Sequence, residues 1–259
     1  TPARQALELY YQYRPKKPVL AVIYSHSHVD HFGGVKGVVN EEDVKTGKVK
    51  IIAPEGFMEE AISENIFAGN AMSRRATYMY GLNLNASPIG LVDIGIGKTI
   101  SDASDIGLIE PNVVITSSNT KMTIDGIKII FQLTPGTEAP SEMNIYFPQL
   151  KALNIAENSS KTLHNFYTLR GAKVRDSKAW AFYLDETVKM FGKEVEVMFA
   201  GHNWPTWGNE RIATQLGNQR DEILFIHNET LRLANMGYNP IEISENIQMP
   251  KSLYKFGYN

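Results

Sequence analysis

The sequence predicts an α/β fold with mixed sheets and helices on the outside, and three observations carry that prediction. The run KPVLAVIYS (17–25) is apolar, β-branched and unbroken, the pattern of a strand covered on both faces. From residue 112 onward apolar residues alternate with period two, as in strands with one face in a core. Segments of helical period separate and follow these strands, the longest being 208–236.

Taken in chain order, ARQALELYYQY (3–13) sets Ala6, Leu9, Tyr10 and Tyr13 on one helical face. The strand 17–25 comes next, and Gly33-Gly34 permits a tight turn into a further helix. KVKIIAPE (48–55) is the second strand, and helical periodicity returns over 56–80. The Gly-, Asn- and Ser-rich stretch 81–107 is long for a connection, a length typical of lids and binding loops. KMTIDGIKIIFQLT (121–134) reads as a hairpin, because Asp125-Gly126 tolerates the positive φ angles of a type I′ turn. NIYFP (144–148) and ALNIAEN (152–158) are two more strands. A helix over 177–191, a strand within VEVMFAGHN (195–203) and a long helix over 208–236, stopped by Gly237, complete the pattern. Residues 238–259 read as the opening of a further helical unit, and no repeat or flexible linker interrupts the chain.

Bulk composition excludes several classes of function. The 259 residues carry a formal net charge of −2, with no basic stripe to displace counterions from a nucleic acid. No apolar run reaches the ~18 residues that suggest a membrane span. Cysteine is absent, which removes disulfides and thiolate metal ligands.

The chemistry concentrates in SHSHVDHFGG (25–34), directly after the first apolar run. Three of the six histidines and one aspartate fall within six residues, as His26-x-His28-x-Asp30-His31. His26 and His28, two apart in extended chain, project to one side, while Asp30 and His31 lie past a turn and face a second point. One window therefore supplies two ligands to each of two metals. Imidazole and carboxylate donors without sulfur suit zinc in an open catalytic site. A dinuclear site needs further ligands, for which His164, His202, His227 and carboxylates at strand ends are available. His202 follows an apolar strand directly, whereas His227 in EILFIHNETL reads as a plain helical residue.

The His/Asp window resembles the signature of the metallo-β-lactamase superfamily. Together with PGTEAPSEM (135–143) and AGHNWPTWGN (200–209), it is similar over nearly the whole chain to the zinc-dependent alkylsulfatases of that superfamily. The resemblance implies an αββα sandwich with a two-zinc site between its sheets. It implies His26, His28 and Glu138 on one zinc, Asp30, His31 and His202 on the other, and Glu157 as the bridge. Glu142 competes with Glu138 for the same role, and His164 is a second candidate ligand. TLHNFYTLRGAKVRD (162–176) is the segment that binds sulfate in such enzymes, here through Asn165, Thr168, Arg170 and Arg175. Arginine matches a tetrahedral oxyanion by paired hydrogen bonds. His164 is the expected general acid and, with Asp30, a catalytic side chain.

The implied activity is hydrolysis of alkyl sulfate esters by water activated between two Zn²⁺ ions, with C–O cleavage. Phe57, Met58, Ile62, Phe67, Met72, Tyr78 and Tyr80 are candidates to line a groove for the alkyl tail. Formylglycine chemistry is excluded, because no Cys or Ser stands two residues before a Pro. A lactonase, thioesterase or β-lactamase of the same fold, or a binding module with degenerate metals, is the alternative. The resemblance further implies a catalytic domain over 1–221, incomplete at its N-terminal sheet, and the beginning of a helical dimerisation domain over 222–259. The chain is accordingly expected to be a fragment that exposes apolar sheet surface, to come from a homodimer, and to act in the bacterial periplasm or outside the cell.

Overall fold

The computed structural model describes residues 1–98 and 106–254. The chain opens with helix α1 (Pro2–Tyr13), strand β1 (Ala21–Ile23) and the short helices α2 (Val29–Phe32) and α3 (Glu41–Lys45). Strand β2 (Lys50–Pro54), helix α4 (Phe57–Ile62), a π-helical turn (Ser63–Phe67), helix α5 (Gly69–Met79) and strand β3 (Val113–Ile115) follow. β1, β2 and β3 lie side by side as a parallel sheet.

A second sheet takes its strands in sequence order. These are β4 (Thr120–Ile124), β5 (Ile127–Leu133), β6 (Met143–Phe147), β7 (Ala152–Asn154), β8 (Val197–Phe199) and β9 (Thr206–Trp207). All neighbours are antiparallel except β7 and β8, which run parallel around the crossover helix α6 (Ser177–Phe191). Helix α7 (Asn209–Asn235) and the short helices α8 (Pro240–Asn246) and α9 (Lys251–Tyr254) end the described chain.

Three apolar cores define the layering. Ile52 and Ile115 of the first sheet pack with Ile129, Phe131, Met143 and Ile145 of the second, which makes the sheet-to-sheet interface. The opposite face of β2, through Ile51 and Ala53, packs with Tyr24, Phe32 and Phe57 beneath the first helical layer. On the far side, Tyr146 and Leu153 pack with Trp180 and Leu184 of α6 and with Ile212 and Leu216 of α7. Helix, sheet, sheet and helix are therefore stacked as the resemblance implies. The alternation along β2, β5 and β6 that sends neighbouring residues to different cores is the period-two signal of the sequence.

Element positions agree closely with the sequence pattern. The hairpin turn has φ +50° at Asp125 and +77° at Gly126, the geometry its sequence demands. Three details differ. The first strand was expected to be covered on both faces, but Ala21, Val22 and Ile23 are half-buried, because β1 pairs only with β2 and forms the edge of its sheet. The helical stretch 56–80 is broken by the π turn. The proposed groove residues also divide, since Phe57 and Met72 are buried in the core whereas Phe67 and Tyr78 stand exposed. Helical spacing alone cannot separate a core stripe from a surface one.

The face of α1 carrying Leu9, Tyr10 and Tyr13 is exposed, as are Leu20 and Val114. Part of the stretch 81–107 expected to form a lid lies outside the described residues. No described helix is long and apolar enough to cross a membrane.

Candidate metal centre

The edge of the sandwich where the two sheets touch is built by backbone pairing. His26 forms an antiparallel bridge with Glu142, and the Met143 N–H donates to the Ser25 carbonyl over 2.9 Å. This contact places the end of the first sheet directly against the start of β6. His28 is the N-cap of α2, and Asp30 and His31 lie within that helix, so one short turn aims all four side chains at the joint. Glu138 follows β5, Glu157 follows β7 and His202 follows β8, each just beyond a strand end.

The side chains fall into two groups of potential ligands. His26, His28, Glu138 and Glu157 form one, and Asp30, His31 and His202 the other; within each, the donor atoms lie within 4.8 Å of one another. Glu157 also reaches across: its Oε2 is 3.6 Å from His26 Nε2 and 3.0 Å from His31 Nε2, and its Oε1 is 3.5 Å from His202 Nε2. Glu138 Oε2 lies 2.8 Å from His28 Nδ1, and Asp30 Oδ2 is 3.2 Å from both His31 Nε2 and His202 Nε2.

The first group is buried throughout, whereas Asp30 is exposed and His31 and His202 are partly so. Buried Nε2 atoms of His26, His28, His31 and His202, and Oε2 of Glu138, have no hydrogen-bond partner among the described residues. Orphaned donors and acceptors at such depth are rare, and these five imidazole and carboxylate atoms are of the kind that ligates a metal, with Ser27 Oγ orphaned beside them. The residues present thus fit a metal cofactor.

Protonation reflects the crowding in the metal-free chain. Burial, reinforced by the charge of His31, pushes His26 down to about 4. Burial also opposes charge on His28, but the Glu138 and Glu64 carboxylates override it and hold His28 up to about 10. Glu138 is lowered to about 2, since His28 and Arg175 outweigh its burial. Glu157 lies well below the usual carboxylate range despite burial, through His164, His26 and His31. Burial and the neighbouring Glu138 push Glu142 up to about 8.

Supporting contacts orient the ligands. The ring of His202 is fixed by Nδ1, 3.0 Å from the Ile96 carbonyl, which leaves Nε2 to face Asp30. Ser25 Oγ lies 3.1 Å from His26 Nδ1. Buried Gln215 and Gln219 of α7 donate to the Ser160 carbonyl over 3.1 and 2.9 Å, and Trp180 Nε1 donates to the Asn158 carbonyl, so the chain just past Glu157 is clamped from two helices. Glu64, on the π turn, approaches His28 Nε2 to 3.4 Å and Arg170 Nη1 to 3.8 Å. Ile96 and Glu64 went unnoticed in the sequence. A backbone carbonyl carries no residue signal, and Glu64 sits in a helical stretch without a motif.

The segment 162–176 folds over this cluster. His164 Nε2 lies 3.2 Å from Glu157 Oε1 and 3.5 Å from Glu138 Oε1. Arg170 is partly exposed, Asn165 exposed, and Thr168 buried with its hydroxyl donating to Met79 Sδ. Arg175 is buried and turned inward: it donates to the Glu138 carbonyl and side chain and to the carbonyl and side chain of Asn165. His227 is remote from the cluster, its Nδ1 2.9 Å from Ser177 Oγ between α7 and α6, as expected of a helical residue. Glu142 belongs to neither ligand group and instead accepts hydrogen bonds from the polypeptide around the ligands.

Comparison with known proteins agrees with this geometry. The model of the metallo-beta-lactamase superfamily matches residues 1–202. The chain belongs to the metallo-beta-lactamase superfamily. Within it, the chain is 54% identical over 251 residues to a linear primary-alkylsulfatase of Pseudomonas sp., covering 97% of this chain and 37% of the relative. An alkyl/aryl-sulfatase of Saccharomyces cerevisiae is 52% identical over 97% of this chain and 39% of its own length. The solved structure of a stereoselective inverting sec-alkylsulfatase from Pseudomonas sp. superposes with a TM-score of 0.96 at 48% identity, over 99% of this chain and 40% of that one. The chain thus spans well under half the length of these relatives.

Proposed function

We propose that this chain carries the catalytic centre of an alkylsulfatase, which hydrolyses alkyl sulfate esters to an alcohol and sulfate. The observation that carries the reading is the meeting of seven ligand side chains from four separate stretches beneath the arginine-bearing segment 162–176. The metal would be zinc, two ions per chain, with His26, His28 and Glu138 to hold one, Asp30, His31 and His202 to hold the other, and Glu157 within reach of both groups. Two such ions would lower the pKa of water towards ~7 and so supply hydroxide as the nucleophile, its proton going to solvent.

The chain's own groups do the rest. Arg170, with Asn165 and Thr168 beside it, is the sulfate-facing cation, and Arg175 braces Glu138 and Asn165 from behind. His164 is the acid that hands a proton to the departing sulfate oxygen. The hydroxide oxygen becomes bonded to the ester carbon, and the C–O bond breaks with its electron pair leaving on sulfate, while His164 regains its proton from solvent. Asp30 completes the exposed ligand set. Exposed Tyr78, next to the Met79 that accepts from Thr168, is suited to meet the alkyl tail.

Residues 1–221 form the catalytic domain in this reading, and 222–259 begin a helical domain that pairs two copies. Exposed Leu231, Met236, Ile241 and Tyr254 support that pairing. The test is turnover of dodecyl sulfate by the zinc-loaded chain in ¹⁸O-water, run beside a lactone and a nitrocefin-type β-lactam. Release of sulfate with the label in dodecanol is the expected result. Hydrolysis of the lactone or β-lactam without sulfate release would assign a different hydrolase, and label in sulfate would overturn C–O cleavage.

A further inference from the structure

Glu142 occupies a place that no ligand role explains. It is fully buried at the start of β6, four residues from Glu138, and its backbone forms the bridge to His26. Its carboxylate collects three donors. Oε2 accepts from the Ala139 N–H and the Thr137 hydroxyl, each over 2.9 Å, and Oε1 accepts from the Glu157 N–H over 3.0 Å. Ala139 adjoins the ligand Glu138. One side chain therefore ties the backbone beside Glu138 to the backbone of Glu157, while its own main chain abuts His26.

The Glu157 end needs such a tie. Ala156, immediately before it, is held at φ +51°, a left-handed conformation that non-glycine residues rarely adopt. Among the contacts described at this turn, the Glu142 carboxylate is the one that receives the Glu157 amide. We propose that Glu142 is a positioning residue that sets Glu138 and Glu157 at the spacing the metal centre requires. It acts through the hydrogen bonds of one carboxylate and touches neither metal nor substrate.

Both oxygens must accept for this to work. Glutamine has the same shape but only one acceptor oxygen. In either orientation its NH₂ faces a backbone N–H, of Glu157 or of Ala139, and one arm of the tie breaks. The proposal rests on the metal centre and not on the substrate assigned above.

The experiment compares the parent chain with Glu142→Gln by zinc affinity, from chelator competition, and by the visible spectrum of the Co²⁺-loaded protein. Leu184→Ala, a truncation in the core between the second sheet and α6, serves as the structural control. Zinc affinity is expected to fall by about ten- to a hundredfold in Glu142→Gln with a changed Co²⁺ spectrum. Leu184→Ala is expected to lower the melting temperature and to leave both readouts as in the parent. Where Glu142→Gln gives no folded chain, Glu142→Asp, which keeps the carboxyl group but falls a methylene short, takes its place with the same expectation. Parental affinity and spectrum in the Glu142 variant, equal changes in Leu184→Ala, or a parent that takes up no metal would each overturn the proposal. A parent chain that takes up zinc but releases no sulfate from dodecyl sulfate would count against the substrate assignment alone.

Discussion

The two ligand groups sit side by side yet differ in how they belong to the fold. His26, His28, Glu138 and Glu157 are buried where the sheets join, and their backbones are tied together by the His26–Glu142 bridge and the Glu142 carboxylate. Asp30, His31 and His202 ride on a four-residue helix and a loop, and Asp30 is exposed. The deep group is part of the architecture, so its loss disturbs fold and chemistry together. The outer group is where solvent reaches the site, so its loss is expected to spare the fold.

The strongest way to break this distinction is Glu157→Ala, because that side chain touches histidines of both groups. Loss of both metals and a fall in turnover of about a thousandfold or more are expected, read by metal analysis and kinetics. A variant that kept two metals would show that Glu157 does not span the groups. His202→Ala sharpens the contrast from the other side. It is expected to lose one metal equivalent and about a hundredfold in turnover, with a melting temperature within about 2 °C of the parent. A large loss of stability would erase the difference between the groups.

A smaller effect is expected from Gly201→Ala, because a Cβ there would stand 2.2 Å from Cε1 of His31. Relief requires the ring or the loop after β8 to move, at about 1–3 kcal/mol. Turnover should drop less than in His202→Ala, and a crystal structure would show His31 displaced. Unchanged activity and an unmoved ring would mean that the outer group tolerates more freedom than its packing implies.

The smallest effect is graded with pH. In the metal-free chain the Glu138 carboxylate holds His28 up to about 10, so at neutral pH its ring carries a proton that a metal must displace. Zinc affinity of the deep group should therefore rise as pH rises from about 6 to 8, with measurable proton release by calorimetry. The sign is opposite for the metal-free fold. A raised histidine pKa adds stability that is complete below about 6.5 and is lost as pH climbs through about 10. Affinity that ignores pH would show that His28 is not a ligand.

Much of this molecule was legible in its sequence. The Asp125-Gly126 turn, the helix over 177–191 and the strands at 121–134 and 144–148 follow from local rules and reappear within a residue or two, whereas the strand expected over 152–158 ends at Asn154. The edge position of β1 was not legible, since an apolar run reports hydrophobicity and says nothing of how many neighbours a strand finds. Nor was the split of Phe57 and Met72 from Phe67 and Tyr78, which share one helical period but not one face of the fold. The resemblance places Arg175 with the sulfate-facing residues, and what the sequence did not reveal is that its guanidinium also donates to Glu138 and Asn165.

What the sequence determined by itself is the local half of the centre. His26, His28, Asp30 and His31 lie so close along the chain that a strand end and one turn of helix suffice to aim them. The other half depends on residues 138, 157 and 202, which no short-range periodicity relates. A resemblance named them, but which of two glutamates four residues apart faces the histidines is decided by tertiary pairing. The bridge of residue 142 to His26 draws its carboxylate into the backbone and leaves Glu138 to the ligands. Spacing along a chain fixes direction over a few residues, and only the register between strands fixes it over a hundred.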